Sequence, residues 1–164
     1  MKFATADLCD ACENDPSVHI AAPLFTDYGG KRSFCGQIVT VKVFEDNVLV
    51  RAALEEAGQE LVLVVDGGAS LNCALLGDQV AQQACDNGWA GLVINGCIRD
   101  SSVIAAIPLG VKALNTSPRR SKKEGKGEKD VAVHFADVTF HPGHYLYADA
   151  DGIVIAPRSL LEAQ

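Results

Sequence analysis

The sequence predicts a single mixed α/β domain with a helix-flanked sheet, and three observations carry that prediction. Two short apolar runs, Leu61 to Val65 and Leu92 to Asn95, are bounded by glycines and polar turns, the profile of strands buried on both faces. Between them Asp78 to Asn87 has helical spacing, so the three segments form a parallel strand, helix, strand unit. From Val131 onward the helical period disappears and short strands alternate with turns, which adds a smaller β layer.

The elements follow in order. Thr5 is placed to cap a short helix carrying Leu8, Ala11 and Cys12 on one face and ending near Asn14 and Pro16. Asp27-Tyr28-Gly29-Gly30 is turn chemistry, and Gly36 to Phe44 alternates in the manner of a strand. Asp46 or Asn47 caps a helix through Val50, Ala53, Leu54 and Ala57 that stops at Gly58. After the central unit, Ser101 to Ala106 reads as a short helix and Val111 to Leu114 as a strand. Val131 to Phe135, Val138 to Phe140, Tyr145 to Ala148 and Ile153 to Ala156 are strands separated by turns at Pro142-Gly143 and Asp151-Gly152. No repeat and no linker divides residues 1–164, so one domain is expected.

Composition narrows the function. The 164 residues are 48% hydrophobic, enough for a sizeable core, and carry a formal net charge of -7. That charge opposes direct nucleic-acid binding, which needs a basic face to neutralise phosphates. No apolar run approaches the roughly 20 residues of a membrane span, and the N-terminus lacks the pattern of a signal peptide, so a cytoplasmic protein is expected. The one basic stretch, Arg119, Arg120, Lys122, Lys123, Lys126 and Lys129, is interrupted by Gly125, Gly127 and two glutamates and reads as a solvated loop. Of six cysteines, only Cys9 and Cys12 form a Cys-x-x-Cys pair. Without a second pair or a preceding strand they read as reduced, semi-buried thiols.

Chemistry concentrates between Gly77 and Asp100. In a parallel unit the C-terminal strand ends lie together, so Asp66-Gly67-Gly68, Gly77-Asp78 and Arg99-Asp100 are expected around one crevice. Gly77 lets a ligand approach the backbone, and the N–H groups of Gln79 and Val80 at the helix start suit a carboxylate or phosphate. Arg99 adds a planar fork for a carboxylate. Asp100 is a hard oxygen donor for Mg²⁺ or Mn²⁺, ions that keep several waters and need few protein ligands. The same residues also fit a structural reading, in which Asp78 caps its helix and Arg99 and Asp100 form a local ion pair. His134, His141 and His144 read as exposed imidazoles near a turn, and Trp89 and Phe140 as core or interface anchors. Asp66-Gly67-Gly68 lacks the third glycine and later acid of a dinucleotide fingerprint, which argues against a nicotinamide or methyl-donor site.

A resemblance covers nearly the whole chain. Asp7-Leu8-Cys9-Asp10, Pro23-Leu24-Phe25, Gly36 to Lys42, Leu63 to Gly68, Asn87 to Ile94, Asp137 to Phe140 and Leu146 to Asp149 followed by Asp151-Gly152-Ile153 resemble the RraA-like family. That family includes class II 4-hydroxy-4-methyl-2-oxoglutarate aldolases, which also decarboxylate oxaloacetate, and protein regulators that inhibit ribonuclease E. The aldolase signature is an Asp, twenty residues and then Arg-Asp, which Asp78 and Arg99-Asp100 match. The resemblance implies a swivelling β/β/α core assembled as a homotrimer, in some members a hexamer. It also implies a site in which the backbone of Gly77, Asp78, Gln79 and Val80, with Arg99, binds the pyruvyl part of a small 2-keto acid. Asp100 would hold the divalent metal, Asp78 would order water or assist proton transfer, and Arg99 would stabilise a pyruvate enolate. Two departures stand out. The aldolases carry an acidic residue three positions beyond Arg-Asp, where this chain has Val103. Longer aldolases also use an acid from a neighbouring subunit's C-terminal extension, whereas this chain stops at Gln164. Both bear on cleavage of the larger aldol substrate more than on decarboxylation of oxaloacetate.

Overall fold

The computed structural model describes residues 2–161, so the expectation attached to the chain end at Gln164 lies outside the described residues. The described residues form the helices α1 (Thr5–Ala11), α2 (Val48–Glu55), α3 (Asp78–Asp86) and α4 (Ser101–Ile104). The strands are β1 (His19–Ile20), β2 (Thr26–Asp27), β3 (Phe34–Lys42), β4 (Val62–Asp66), β5 (Ala74–Leu76), β6 (Gly91–Ile98), β7 (Gly110–Thr116), β8 (Glu128–Lys129), β9 (Val133–Phe135), β10 (Val138–Phe140), β11 (Tyr145–Asp149) and β12 (Gly152–Ala156). The main sheet runs β1-β12-β11-β3-β4-β6-β7-β2, with β5 added to β6 and β8 to β3. Strands β3, β4, β6 and β7 pair in parallel, while β11, β12, β1 and β2 join antiparallel.

Strand β3 joins the two halves of the molecule. Its first residues pair antiparallel with β11 and its last five run parallel to β4. The two-residue side-chain period then sorts the interior into layers. Leu63 and Val65 of β4 and Leu92, Ile94 and Ile98 of β6 pack against Val50 and Leu54 of α2, Ala81 and Ala84 of α3 and Ile104 of α4. The intervening Val62, Val64 and Val93 face the other way, onto Phe135, Phe140, Leu146, Ile153 and Ile155. The result is the β/β/α layering implied by the resemblance. Every residue of β4 and β6 is buried, as their unbroken apolar character predicts. Phe34 lies where Gly91 and Gly110 face it: a Cβ on Gly110 would come within 2.1 Å of its ring. A side chain at either glycine would expel the ring from the core.

Several expected boundaries shift. Thr5 does not cap α1; it is the first helical residue, after Ala4. The cap comes from β11, where Asp149 accepts the Thr5 backbone N–H at 2.7 Å and its hydroxyl at 2.6 Å. Burial pushes the Asp149 carboxyl up, but the Thr5 side chain and the Thr5, Asp151 and Gly152 N–H groups outweigh it and hold it low. At α2 the cap position is Asn47, while the Asp46 carboxylate takes the Val48 N–H at 3.0 Å. Trp89 and Phe140 are core residues, and the Trp89 indole donates to the Glu56 carbonyl at 3.1 Å. Cys9 and Cys12 are half-buried free thiols, and burial raises the Cys9 pKa. His134 and His141 are exposed, as expected, whereas His144 is half-buried with its ring 4.7 Å from that of His141. No described helix is long and apolar enough to cross a membrane.

Candidate active site

The C-terminal ends of β4, β6 and β7 lie at one edge of the sheet, the usual place for ligands in a parallel α/β arrangement. A cavity of about 310 Å³ opens there, lined by Gly77, Asp78, Gln79, Val80, Arg99 and Asp100 among others. The six residues expected to bind the substrate or the metal share one cavity, although α3 and β6 separate Asp78 from Arg99 along the chain, whereas the Asp66-Gly67-Gly68 turn expected beside them does not line it.

Two connections hold the centre together. Arg99 donates its backbone N–H to the Leu76 carbonyl at 2.9 Å, continuing the β5/β6 pairing to the edge of the site. Asp100 then turns into the left-handed region, φ 56° and ψ 39°, before α4 begins. An aspartate tolerates that conformation better than most residues, at a cost of about 1–2 kcal/mol. The turn brings its Oδ2 to the Asp78 N–H at 3.1 Å, so Asp100 caps α3 from outside the helix. Gly77 makes room for this approach. A Cβ there would meet Asp100 Oδ2 at 3.0 Å and Arg99 Nε at 3.6 Å.

The helix start is less open than the sequence suggested. Asp78 Oδ1 accepts the Gln79 N–H at 2.9 Å and Asp100 accepts that of Asp78, so two of the first donors already face carboxylates. The Val80 N–H has no hydrogen-bond partner among the described residues. Val103 is 49% exposed on α4 and does not line the cavity. Asp66 is not a cavity residue either. Its Oδ1 accepts the Gly68 N–H at 3.0 Å and the Asn95 amide at 3.1 Å, so this carboxylate serves the turn after β4.

Asp100 fits a divalent cation on donor chemistry. Its Oδ1 accepts no hydrogen bond among the described residues, it is exposed, and it is a hard oxygen. No group of three or more His, Cys, Asp or Glu that could hold a metal occurs among the described residues. A single carboxylate suits an ion that completes its shell with waters and substrate oxygens.

The cavity residues that the sequence reading did not assign to the site include Asn47 and Arg51 of the α2 cap and first turn, and Arg120 and Lys123 in the basic segment. The segment is solvated along its side chains, yet its backbone is docked. Asp46, 2% exposed, accepts the N–H groups of Glu124 at 2.9 Å and Lys126 at 3.3 Å with Oδ2. Ala74 N–H donates to the Arg119 carbonyl at 2.8 Å, and Lys122 N–H to the Glu45 carbonyl at 2.9 Å. Lys123 Nζ reaches Asn47 Oδ1 at 3.3 Å. The usable signal was position: the segment follows β7, whose C-terminal end lies at the same sheet edge as Arg99.

Comparison with known proteins identifies the class. A family model described as RraA-like, Aldolase/RraA, matches residues 5–155, and the chain belongs to that family. A protein of Aromatoleum aromaticum, named as a candidate 4-hydroxy-4-methyl-2-oxoglutarate aldolase, is 56% identical over 98% of this chain and 100% of its own. Two solved structures are similar throughout. One, from Geobacillus kaustophilus and described as an S-adenosylmethionine:2-dimethylmenaquinone methyltransferase, shares 54% identity at a TM-score of 0.94, covering 99% of each chain. The other, the RNA-processing inhibitor RraA from Thermus thermophilus, shares 44% identity at a TM-score of 0.91, covering 96% of this chain and 94% of its own.

Proposed function

We propose that the protein is a divalent-metal-dependent carbon–carbon lyase that cleaves 4-hydroxy-4-methyl-2-oxoglutarate to pyruvate and decarboxylates oxaloacetate, both through a pyruvate enolate. The observation that carries this reading is the shared cavity of Arg99, Asp100 and Asp78, with Asp100 bonded to the Asp78 N–H at 3.1 Å. Full-length similarity to proteins named for the aldol reaction supports it.

The chemistry needs a sink for the electron pair of the breaking C3–C4 bond. Arg99 supplies donors and positive charge where the enolate oxygen develops. Asp100 would hold Mg²⁺ or Mn²⁺, which supplies Lewis acidity toward the 2-keto acid. The Val80 N–H and the Gly77 cleft receive the pyruvyl carboxylate beside the helix start. For the aldol substrate the 4-hydroxyl proton must leave as the bond breaks, and Asp78 orders the water that takes it. The second product departs as a keto acid, or as carbon dioxide from oxaloacetate, and C3 of the enolate then takes a proton. Exposed Phe44 and Leu71 offer apolar surface for the homotrimer, and free thiols suit the cytoplasm.

The test is pyruvate release from each substrate with Mg²⁺. Activity should vanish with EDTA and in Arg99→Ala, and turnover indifferent to both would overturn the reading. A second reading, a regulator that binds ribonuclease E, rests on the likeness to the Thermus RraA. It requires retention of ribonuclease E in a pull-down together with slower cleavage by it.

A further inference from the structure

The cavity carries more positive charge than a pyruvyl group and one metal carboxylate call for. Arg51, Arg99, Arg120 and Lys123 line it against Asp78 and Asp100, in a chain whose net charge is -7. None of the four cations lies within ion-pair distance of a carboxylate among the described residues, where the pairs are Lys112 with Asp27, Lys126 with Glu124 and Arg158 with Asp15. Lys123 is engaged by Asn47. The guanidinium groups of Arg51 and Arg120 have no hydrogen-bond partner among the described residues, although both backbones are anchored. Arg51 N–H donates to the Asn47 carbonyl at 3.0 Å, and Arg120 forms a β-bridge with Ala74, at the head of the strand that leads to Gly77.

We propose that Arg51 and Arg120 form the subsite for the carboxylate at the far end of the substrate, and that this pair favours aldol cleavage over decarboxylation. The proposal rests on the lyase reading for its chemistry. Arg99 and the start of α3 take the pyruvyl end, which leaves these two forks for a second anion in the same cavity. The two reactions treat that anion differently. In aldol cleavage the 4-hydroxyl proton leaves, the C3–C4 pair passes to the enolate, and the far carboxylate reaches the second keto acid with its charge unchanged. Its attraction to Arg51 and Arg120 is the same before and during bond cleavage, so it strengthens binding without changing the chemical step. In decarboxylation the far carboxylate is the leaving group. Its charge flows into the enolate as neutral carbon dioxide departs, so cations beside it stabilise the ground state more than the transition state and slow the step.

The test has a binding arm and a kinetic arm. Calorimetry with Mg²⁺ present compares 2-oxoglutarate, a diacid, with 2-oxobutanoate, a monoacid of matching pyruvyl end; neither carries the bond arrangement the reaction cleaves. The wild type should favour the diacid by about tenfold or more, and Arg51→Gln/Arg120→Gln should abolish that preference. Circular dichroism checks folding, and each single variant should show a partial loss. Equal affinity in the wild type, or a preference that survives in a folded double variant, overturns the proposal. In the kinetic arm the double variant should show its aldol loss in KM and a raised kcat for oxaloacetate. A kcat for oxaloacetate that falls in step with the aldol reaction overturns the charge argument. A wild type that prefers the diacid yet turns over neither substrate removes the lyase reading and leaves the diacid subsite standing.

Discussion

Asp100 accepts the backbone N–H of Asp78 at 3.1 Å, and this single bond joins two loops more than twenty residues apart into one site. It fixes the carboxylate proposed to hold the metal relative to the start of α3. The aldolase spacing in the sequence is the linear trace of that contact, with α3 and β6 between its two ends.

Gly77→Ala should disturb this contact with little effect on folding. The Gly77 backbone is extended, φ -122° and ψ -176°, so alanine suits its conformation. The new Cβ would stand 3.0 Å from Asp100 Oδ2, and the carboxylate must give by a few tenths of an ångström. Displacements on that scale reduce turnover by about tenfold or more when they misplace a reacting group. The expected result is reduced pyruvate release with an unchanged urea midpoint.

Asp46→Ala should cost about 1–3 kcal/mol in urea unfolding, because it leaves the Val48, Glu124 and Lys126 N–H groups without their acceptor. It should also release the segment that carries Arg120 and Lys123. Diacid affinity should then fall even though the substituted residue does not line the cavity.

The pH dependence of the same contact has a definite sign. Burial pushes the Asp46 carboxyl up, but the N–H groups of Val48, Lys126, Glu124 and Gly125 outweigh it, and the pKa is lowered on folding. Stability from this group is therefore fully present above the unfolded value of about 3.9 and is lost as pH falls through the lower folded value. The stability gap between wild type and Asp46→Asn should be wide at pH 7 and close progressively below about pH 4. A gap that widened in acid would contradict the assignment.

Lys112→Met should destabilise strongly. Lys112 on β7 is 3% exposed and its Nζ lies 3.0 Å from Asp27 Oδ1 on β2, an ionic contact without well-directed hydrogen-bond geometry. Removing the lysine leaves a partly buried carboxylate without its counter-charge, at a cost of about 3 kcal/mol or more. Restoring stability with Asp27→Leu in the same chain, read from the thermal midpoint, checks that the loss comes from the orphaned charge.

Legibility in the sequence followed the range of the interactions. The central unit was readable because its periods are local: Asp78 to Asn87 became Asp78–Asp86, and Leu61 to Val65 became Val62–Asp66. The strands β1, β2 and β5 were not, since they are short segments without turn signals on both sides and owe their state to partners elsewhere in the chain. Thr5 illustrates a competing interaction, for its hydroxyl serves Asp149 across the fold in place of its own helix. The six site residues named in advance lie together because parallel topology gathers strand ends. Arg51 went unnoticed because an exposed helical arginine looks like any solvated one. The basic segment has the composition of a free loop, and the anchors that hold its backbone, Glu45, Asp46 and Ala74, lie far upstream.

That anchoring separates two jobs within one chain. Arg99 and Asp100, proposed for the bond-breaking step, follow directly on β6 at the sheet edge, whereas Arg120 and Lys123 arrive on a strap fastened by main-chain contacts that do not depend on the strap's own side chains. On the proposed reading, substitutions along the strap exchange one far-end group of the substrate for another while the centre around Arg99 and Asp100 stays as it is. Descendants of such a scaffold would diverge in diet before they diverged in chemistry.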